Sequence, residues 1–318
     1  MPKTKRKKSF GMIMKQQYQF LILTVPFMLL VILFSYVPIW GWIYAFFEAD
    51  RTTLLPNFEK FQGLDMFLRV FEMNRFWDAV RNTLVISIGT IIVGFVCSIT
   101  FALLLNEIRL KWFKRSVQTI SYLPHFISWV VAASMISVTL SPDGGIVNVL
   151  LLRFGLIDAP YNFLISNSPT IWWVFILSSL WKTLGWNSII YLSTMSGIDP
   201  GLYEAAEIDG AGRIKRIWHV TLPGIKPVIS ILMILAIGNL LRVGFEQYYL
   251  LQRGLTLEFS EVIETLAYRT VWSSGAGTRF HRQVSLATAI GMMQSVISII
   301  LLFTANRVNK AINGERLF

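Results

Sequence analysis

Few residues in this sequence combine reactive chemistry with a setting in which it matters. Polar side chains inside long apolar runs come first, because such groups are costly in a membrane-like setting and usually face a cavity or a partner. Thr183, Asn187, Tyr191 and Thr194 recur at helical spacing in one run, with Trp181 and Lys182 beside them. Asn239, Arg242, Glu246 and Tyr249 do the same in a second run, where Arg242 and Glu246 stand four apart and can neutralise one another. These stripes offer hydrogen bonds to a polar solute, and they would equally seal contacts between helices. Trp181 and Trp186 present rings for stacking, or anchors for an interface. Lys182, near the middle of its run, suits a solute, a helix-end carbonyl or a lipid phosphate. Catalytic constellations are missing. His125, His219 and His281 are scattered without ligand spacing, and Cys97 is the single cysteine, so no metal site is expected. Neither paired carboxylates, nor a His-Glu-x-x-His motif, nor a nucleophile with a plausible base is present.

The second group lies in the polar stretch 195–226. Asp199 is a good helix cap and Pro200 suits the first helical position, so a short helix should begin there and run through Glu204, Ala205, Ala206 and Ile208. Asp209-Gly210 supplies a stop, with Gly210 free to take positive φ. A second short helix from about Ala211 to Val220 sets Ile214, Ile217 and Trp218 on one face, and Leu222-Pro223 is expected to end it. The product is a helix–turn–helix knob. Ala205 and Ala206 would let another surface approach closely, and Ile217 with Trp218 would anchor it. A loop that merely packs on its own bundle has the same chemistry.

The elements that position these residues follow from composition. Of 318 residues, 54% are hydrophobic and only 15% charged, and the apolar runs are long enough for the roughly 20 residues a bilayer crossing needs. The expected fold is all-α: a basic segment 1–19, then a transmembrane domain 20–318 with about six spans, near 20–47, 83–105, 117–140, 170–194, 227–250 and 284–306. The first run is about twice the length of a signal-peptide core and reads as a retained span, kinked by Pro26 and Pro38. Segment 48–82 holds a short amphipathic helix between Phe58 and Phe71, and segment 141–169 is marked by turns at Pro142 and Pro160. With the N-terminus in the cytoplasm, seventeen of the 29 Lys and Arg residues fall on that side, ten on the other and two within spans. This asymmetry places both termini and the 195–226 loop inside, and it accounts for the net charge of +11 without nucleic-acid binding.

Glu204-Ala205-Ala206, Asp209-Gly210-Ala211 and Val220-Thr221-Leu222-Pro223 together resemble the EAA loop of permeases in binding-protein-dependent ABC importers. The spacing agrees throughout. Ile217 stands where an aromatic is usual and Val220 replaces isoleucine, both keeping apolar character. Phe61 to Asp65, Arg81-Asn82-Thr83-Leu84 and Trp181-Lys182…Gly185-Trp186-Asn187…Tyr191-Leu192 are similar to the carbohydrate-uptake branch, in particular permeases for oligosaccharides and degraded polysaccharides.

The resemblance implies the type I importer permease fold and a multi-pass place in the bacterial cytoplasmic membrane. It implies a second permease subunit, identical or different, and two cytoplasmic ATPase subunits that receive the EAA knobs through Glu204, Ala205, Ala206, Asp209, Gly210, Ala211, Ile217, Trp218, Leu222 and Pro223. An extracytoplasmic solute-binding protein would deliver a carbohydrate. ATP and Mg would be bound by the partner ATPases and no cofactor by this chain, which carries no phosphate-binding G-x-x-x-x-G-K-[ST] loop. The competing class is a secondary transporter or channel without an ATPase, for which no internal repeat is evident.

Overall fold

The structure, a computed structural model, describes residues 10–47, 58–165, 168–272 and 278–313. The basic run Lys3 to Lys8 and Arg316 lie outside them. Helix α1 (Phe10–Val31) contains Pro26 and passes through a wide turn into a tight one that ends at Ala45. Pro38 sits in the first turn of that tight segment, where a missing N–H is tolerated. The amphipathic helix expected from Phe58 to Phe71 is a single turn at Phe58–Lys60 followed by α2 (Asp65–Glu72), with Met66 and Val70 buried. Next come α3 (Asn74–Glu107), α4 (Lys111–Phe126), α5 (Trp129–Thr139), α6 (Ile146–Arg153) and α7 (Thr170–Ser196). The chain continues through α8 (Pro200–Ile208), α9 (Arg213–Arg216), α10 (Leu222–Gly238), α11 (Glu246–Leu251), α12 (Leu257–Ser260), α13 (Ile263–Trp272) and α14 (Thr278–Asn313). At 34 residues α3 is about 51 Å long, so it overshoots a hydrocarbon core of about 30 Å.

Among the described residues, four helical stretches are long and apolar enough to cross a membrane, and α4 with α5 makes a fifth if that bent pair is one span. Helix α7 has the length, at 27 residues, and carries the polar positions that lower its apolarity. Six spans therefore stand as an approximate count.

Two expected spans are not single helices. The run 117–140 is broken between α4 and α5, which diverge by 104°. Ile127 and Ser128 are extended there, and the Ser128 hydroxyl caps the new helix by accepting from the Val131 N–H. The run 227–250 stops at Gly238, and α11 restarts only at Glu246, with Gly244 between them at φ +96°. A Cβ on Gly238 would lie 2.6 Å from Leu302 of α14, so the helix end is seated tightly before the chain turns away. Leu222-Pro223 does not end the second knob helix. A wide turn at Ile217–Thr221 carries the helix straight into α10, with the Leu222 N–H donating to the Ile217 carbonyl. Pro223 occupies the first turn of α10, so its absent N–H breaks nothing, and Pro227 lies inside that helix, which begins before the expected start of the span at 227.

Helix α7 is the axis of the molecule. It runs beside α3 in the same direction: a Cβ on Gly89 would stand 2.5 Å from Ile176. Further along, Ala102 and Leu105 share a buried cluster with Tyr191, Leu192, Met195 and Ile225. A second cluster joins Ile86, Ala133, Ile171, Phe175, Tyr248 and Leu251. A third packs α2, α3, α13 and α14 through Val70, Ala79, Leu266 and Ile290. Elsewhere Leu23, Phe27, Leu33, Ile92, Val96, Ile300 and Phe303 are exposed, a surface suited to lipid rather than water.

Candidate functional site

The knob is built by local sequence. The Asp199 carboxylate accepts from the Gly201 N–H at 2.9 Å, and Pro200 opens α8. At the other end the Ala211 N–H donates to Ala206 O (2.8 Å) and the Gly210 N–H to Glu207 O (3.0 Å), the paired bonds of a Schellman cap. That cap needs its penultimate residue left-handed, and Gly210 has φ +75°. Two contacts tie the limbs together. The Tyr203 hydroxyl lies 3.0 Å from that of Thr221, which is buried, and Arg216 pairs with Glu207 at 2.9 Å. The second contact adds little, because Glu207 is largely in solvent.

Glu204, Ala205, Asp209, Gly210, Trp218 and Pro223 are exposed, while Ala206, Ala211, Ile217 and Leu222 are half-buried. The outward apolar surface comes from Ile208 (87% exposed), Ile214 (72%) and Trp218 (65%). Ile208 was not singled out from sequence, although an isoleucine on the last turn of a polar loop helix was a visible signal. Of Ile214, Ile217 and Trp218, expected on one face, Ile217 starts the wide turn and is half-buried, while Ile214 and Trp218 are exposed.

Around α7 the candidate path residues separate into distinct environments. Thr183, Asn187 and Tyr191 line one cavity of about 250 Å³, together with Thr90, Gly94 and Ser98 of α3 and Leu232 of α10. Thr194 is not part of that wall. The Thr183 hydroxyl donates to Ser179 O at 2.8 Å, while the buried hydroxyls of Thr90 and Ser98 are left without a partner. Sequence reading missed these two because a lone Ser or Thr in an apolar run carries no pattern. Trp181 lines a separate apolar cavity of about 570 Å³ with Met135, Leu140, Trp173 and Leu177.

Lys182 faces neither cavity. Its ammonium donates to Pro124 O (3.2 Å), His125 O (3.0 Å) and Ile127 O, the carbonyls at the end of α4. Beside it Trp186 stacks on His125 with ring centroids 4.3 Å apart and 3° between planes. A Cβ on Gly185 would overlap the Ser121 backbone carbonyl. The Trp-Lys…Gly-Trp string is thus the seat of α4 on α7.

Asn239, Arg242, Glu246 and Tyr249 do not form one helical stripe, because the chain unwinds between α10 and α11. All four are exposed at that break. Arg242 donates to the Ser295 hydroxyl at 3.2 Å and makes no ion pair with Glu246. Tyr249 stacks on Phe245 (4.9 Å, 20°) and meets Tyr268 edge-on at 5.2 Å. Gln247 docks α11 on α7, donating to Phe175 O (2.8 Å) and to the Ser178 hydroxyl (2.9 Å). Non-helical backbone at membrane depth is tolerated where protein buries it or it lines a water-filled cavity.

Arg81-Asn82-Thr83 is a clamp. Arg81 and Asn82 donate to Glu258 O at 2.7 and 2.9 Å, Asn82 also reaches Glu261 O at 3.0 Å, and the Thr83 hydroxyl accepts from the Ile263 N–H at 3.1 Å. Arg75 holds the buried Glu261 carboxylate at 2.7 Å. Among the described residues no three His, Cys, Asp or Glu side chains converge as metal ligands.

The family model described as binding-protein-dependent transport system inner membrane component matches residues 91–314. The polygalacturonan/rhamnogalacturonan transport system permease protein YteP of Bacillus subtilis is 38% identical over 99% of this chain and 95% of its own. Protein LplB of the same organism is 36% identical over 93% and 90%. Among solved structures, a bacterial ABC transporter involved in the import of the acidic polysaccharide alginate superposes with a TM-score of 0.82 at 34% identity, covering 94% of this chain and 98% of that one. The alginate transporter in complex with a periplasmic protein bound to alginate pentasaccharide gives 0.85 at 32%, covering 98% and 100%.

Proposed function

The chain belongs to the binding-protein-dependent transport system inner membrane component family, and on that premise we propose that it forms half of the translocation pathway of an ATP-driven importer for an oligosaccharide. The observation that carries the reading is the knob: a rigid, capped helical turn whose outward face is apolar around an exposed Glu204-Ala205 step. In this proposal the knob lies in the cytoplasm with both termini, as the basic-residue asymmetry supports. It docks on one of two ATPase subunits, which bind the ATP and Mg, and a second permease subunit completes the pathway. An extracytoplasmic solute-binding protein delivers the sugar. The transport work is done by movement of the knob, and this chain catalyses no reaction.

The wall formed by Thr183, Asn187 and Tyr191, opposite Thr90 and Ser98, is proposed as one lining of the path, and the exposed groups at the α10–α11 break as another. Neutral hydroxyls and an amide suit sugar hydroxyls, and Tyr249 offers a ring to a sugar face. The acidic polysaccharides named for YteP and for the alginate transporter support a uronate-containing substrate. A transporter that works without an ATPase is not favoured by these relatives.

Reconstitution tests the proposal. The chain is placed in liposomes with a partner permease, an ATPase and a solute-binding protein, and uptake of labelled oligogalacturonides or alginate oligosaccharides is measured against neutral malto-oligosaccharides. Uptake should require ATP and the binding protein. Uptake that proceeds without either overturns the proposal.

A further inference from the structure

Lys182 is a cation in the middle of a 27-residue helix, twelve residues from its start, and it is only 7% exposed. Such a charge is expensive in a membrane and ordinarily has an acidic partner or an aqueous cavity. Among the described residues no carboxylate lies within ion-pair distance of Lys182, Glu246 of α11 acting on it only through space, and Lys182 lines neither α7 cavity. Its partners are three backbone carbonyls, of Pro124, His125 and Ile127.

The match is chemical as well as spatial. An ammonium group has three N–H donors and no acceptor, and here each donor has one carbonyl. The last carbonyls of a helix have no intrahelical partner and carry the negative end of its dipole. Helix α4 ends at Phe126 and the chain turns through 104° within two residues; the Pro124 carbonyl accepts from the Ile127 N–H at 3.3 Å, and Lys182 supplies the donor for the His125 and Ile127 carbonyls beside it. The same ammonium lies 5.4 Å from the ring centroid of Trp129, the first residue of α5. One group therefore holds both sides of the break. The surroundings fix its place, since His125 is stacked on Trp186 and Gly185 lets α4 approach α7.

We infer that Lys182 is a positioning residue: its ammonium caps α4 from the neighbouring span and thereby sustains the break between α4 and α5 that transport requires. The end of α4 is in consequence a binding cradle for a primary ammonium ion, occupied by the protein's own side chain. With all three donors engaged, Lys182 is not a ligand for the transported solute. The inference uses the transport reading for its functional readout, and stands on the cap geometry for its structural one.

The test is rescue of the missing cation. In the reconstituted importer, Lys182→Ala and Lys182→Met should lower the maximal uptake rate at least tenfold, with the concentration of loaded binding protein giving half-maximal rate unchanged. Propylammonium chloride at tens of millimolar should restore Lys182→Ala severalfold, while propanol restores nothing and wild-type uptake is unaffected. Retention of full rate by Lys182→Met overturns the inference. So does an assembled Lys182→Ala complex that propylammonium leaves inactive, or an effect confined to half-saturation. Where Lys182→Ala fails to assemble, propylammonium is present through membrane solubilisation and assembly is read by size-exclusion chromatography; no recovery overturns the cap. If the wild-type complex does not transport, the transport reading fails by itself. The cap is then still decided by whether propylammonium raises the thermal midpoint of purified Lys182→Ala and leaves that of the wild type unchanged.

Discussion

Replacing Gly210 isolates one backbone angle from every other property of the knob. The residue has φ +75°, and a Cβ built on it meets nothing within 4 Å inside this chain. A side chain there is penalised by conformation alone, by about 1–2 kcal/mol for an ordinary L-residue. That corresponds to roughly a 5–30-fold fall in the ratio of formed to unformed cap. Asparagine tolerates the left-handed region and should lose little. Proline cannot adopt it, and also deletes the N–H that donates to Glu207 O at 3.0 Å, a further loss of about 1 kcal/mol. The expected order of ATP-dependent uptake is therefore Gly, Asn, Ala, Val, Pro, with Gly210→Pro inactive. Because α8 and Gly210 lie outside the stretches long and apolar enough to cross a membrane, the amount of chain in the membrane should stay constant across the series. Uptake and ATPase stimulation by loaded binding protein are measured in liposomes, and co-purification of the ATPase reports docking. Gly210→Pro that keeps both uptake and co-purification refutes the knob assignment. Gly210→Asn as damaging as Gly210→Val refutes the φ argument and points to contact with the partner instead.

Three further outcomes follow from the geometry. Thr183→Val with Asn187→Leu replaces the polar wall of the α3–α7 cavity by similar volumes, and should change the rate or substrate range severalfold while ATPase docking is unaffected; unchanged uptake for every oligosaccharide tried returns that wall to packing. Gly185→Val should force α4 away from α7, because its Cβ has no room beside Ser121, and yield of assembled, detergent-stable complex should fall sharply; a normal yield refutes the close approach. Asn82→Ala leaves the buried Glu261 carbonyl without its donor, while Arg81 still holds the Glu258 carbonyl, and should cost roughly 1–3 kcal/mol, read as a lower thermal midpoint of the purified chain. An unchanged midpoint would remove the clamp from the account.

The knob was legible in the sequence because it is made by neighbours. Asp199, Pro200 and Gly210 act within a turn of their own positions, so a cap, a first-turn proline and a left-handed stop can be read from residue type and spacing. The apolar runs were legible for the same reason, since length and composition alone decide whether a helix can cross a bilayer. The breaks were not. Local residues such as Pro124, Ser128 and Gly244 permit the breaks without requiring them, because groups far along the chain also hold them: Lys182 lies 55 residues beyond the Ile127 carbonyl it serves, and Gln247 reaches 72 residues back to Phe175. The polar stripe read through Asn239, Arg242, Glu246 and Tyr249 assumed an unbroken helix and failed with it. Residue type determined that Lys182 was costly where it stands, and the fold decided what offset the cost. A polar group at membrane depth must find its partner across space, and only the packing of α4 on α7 says which partner that is.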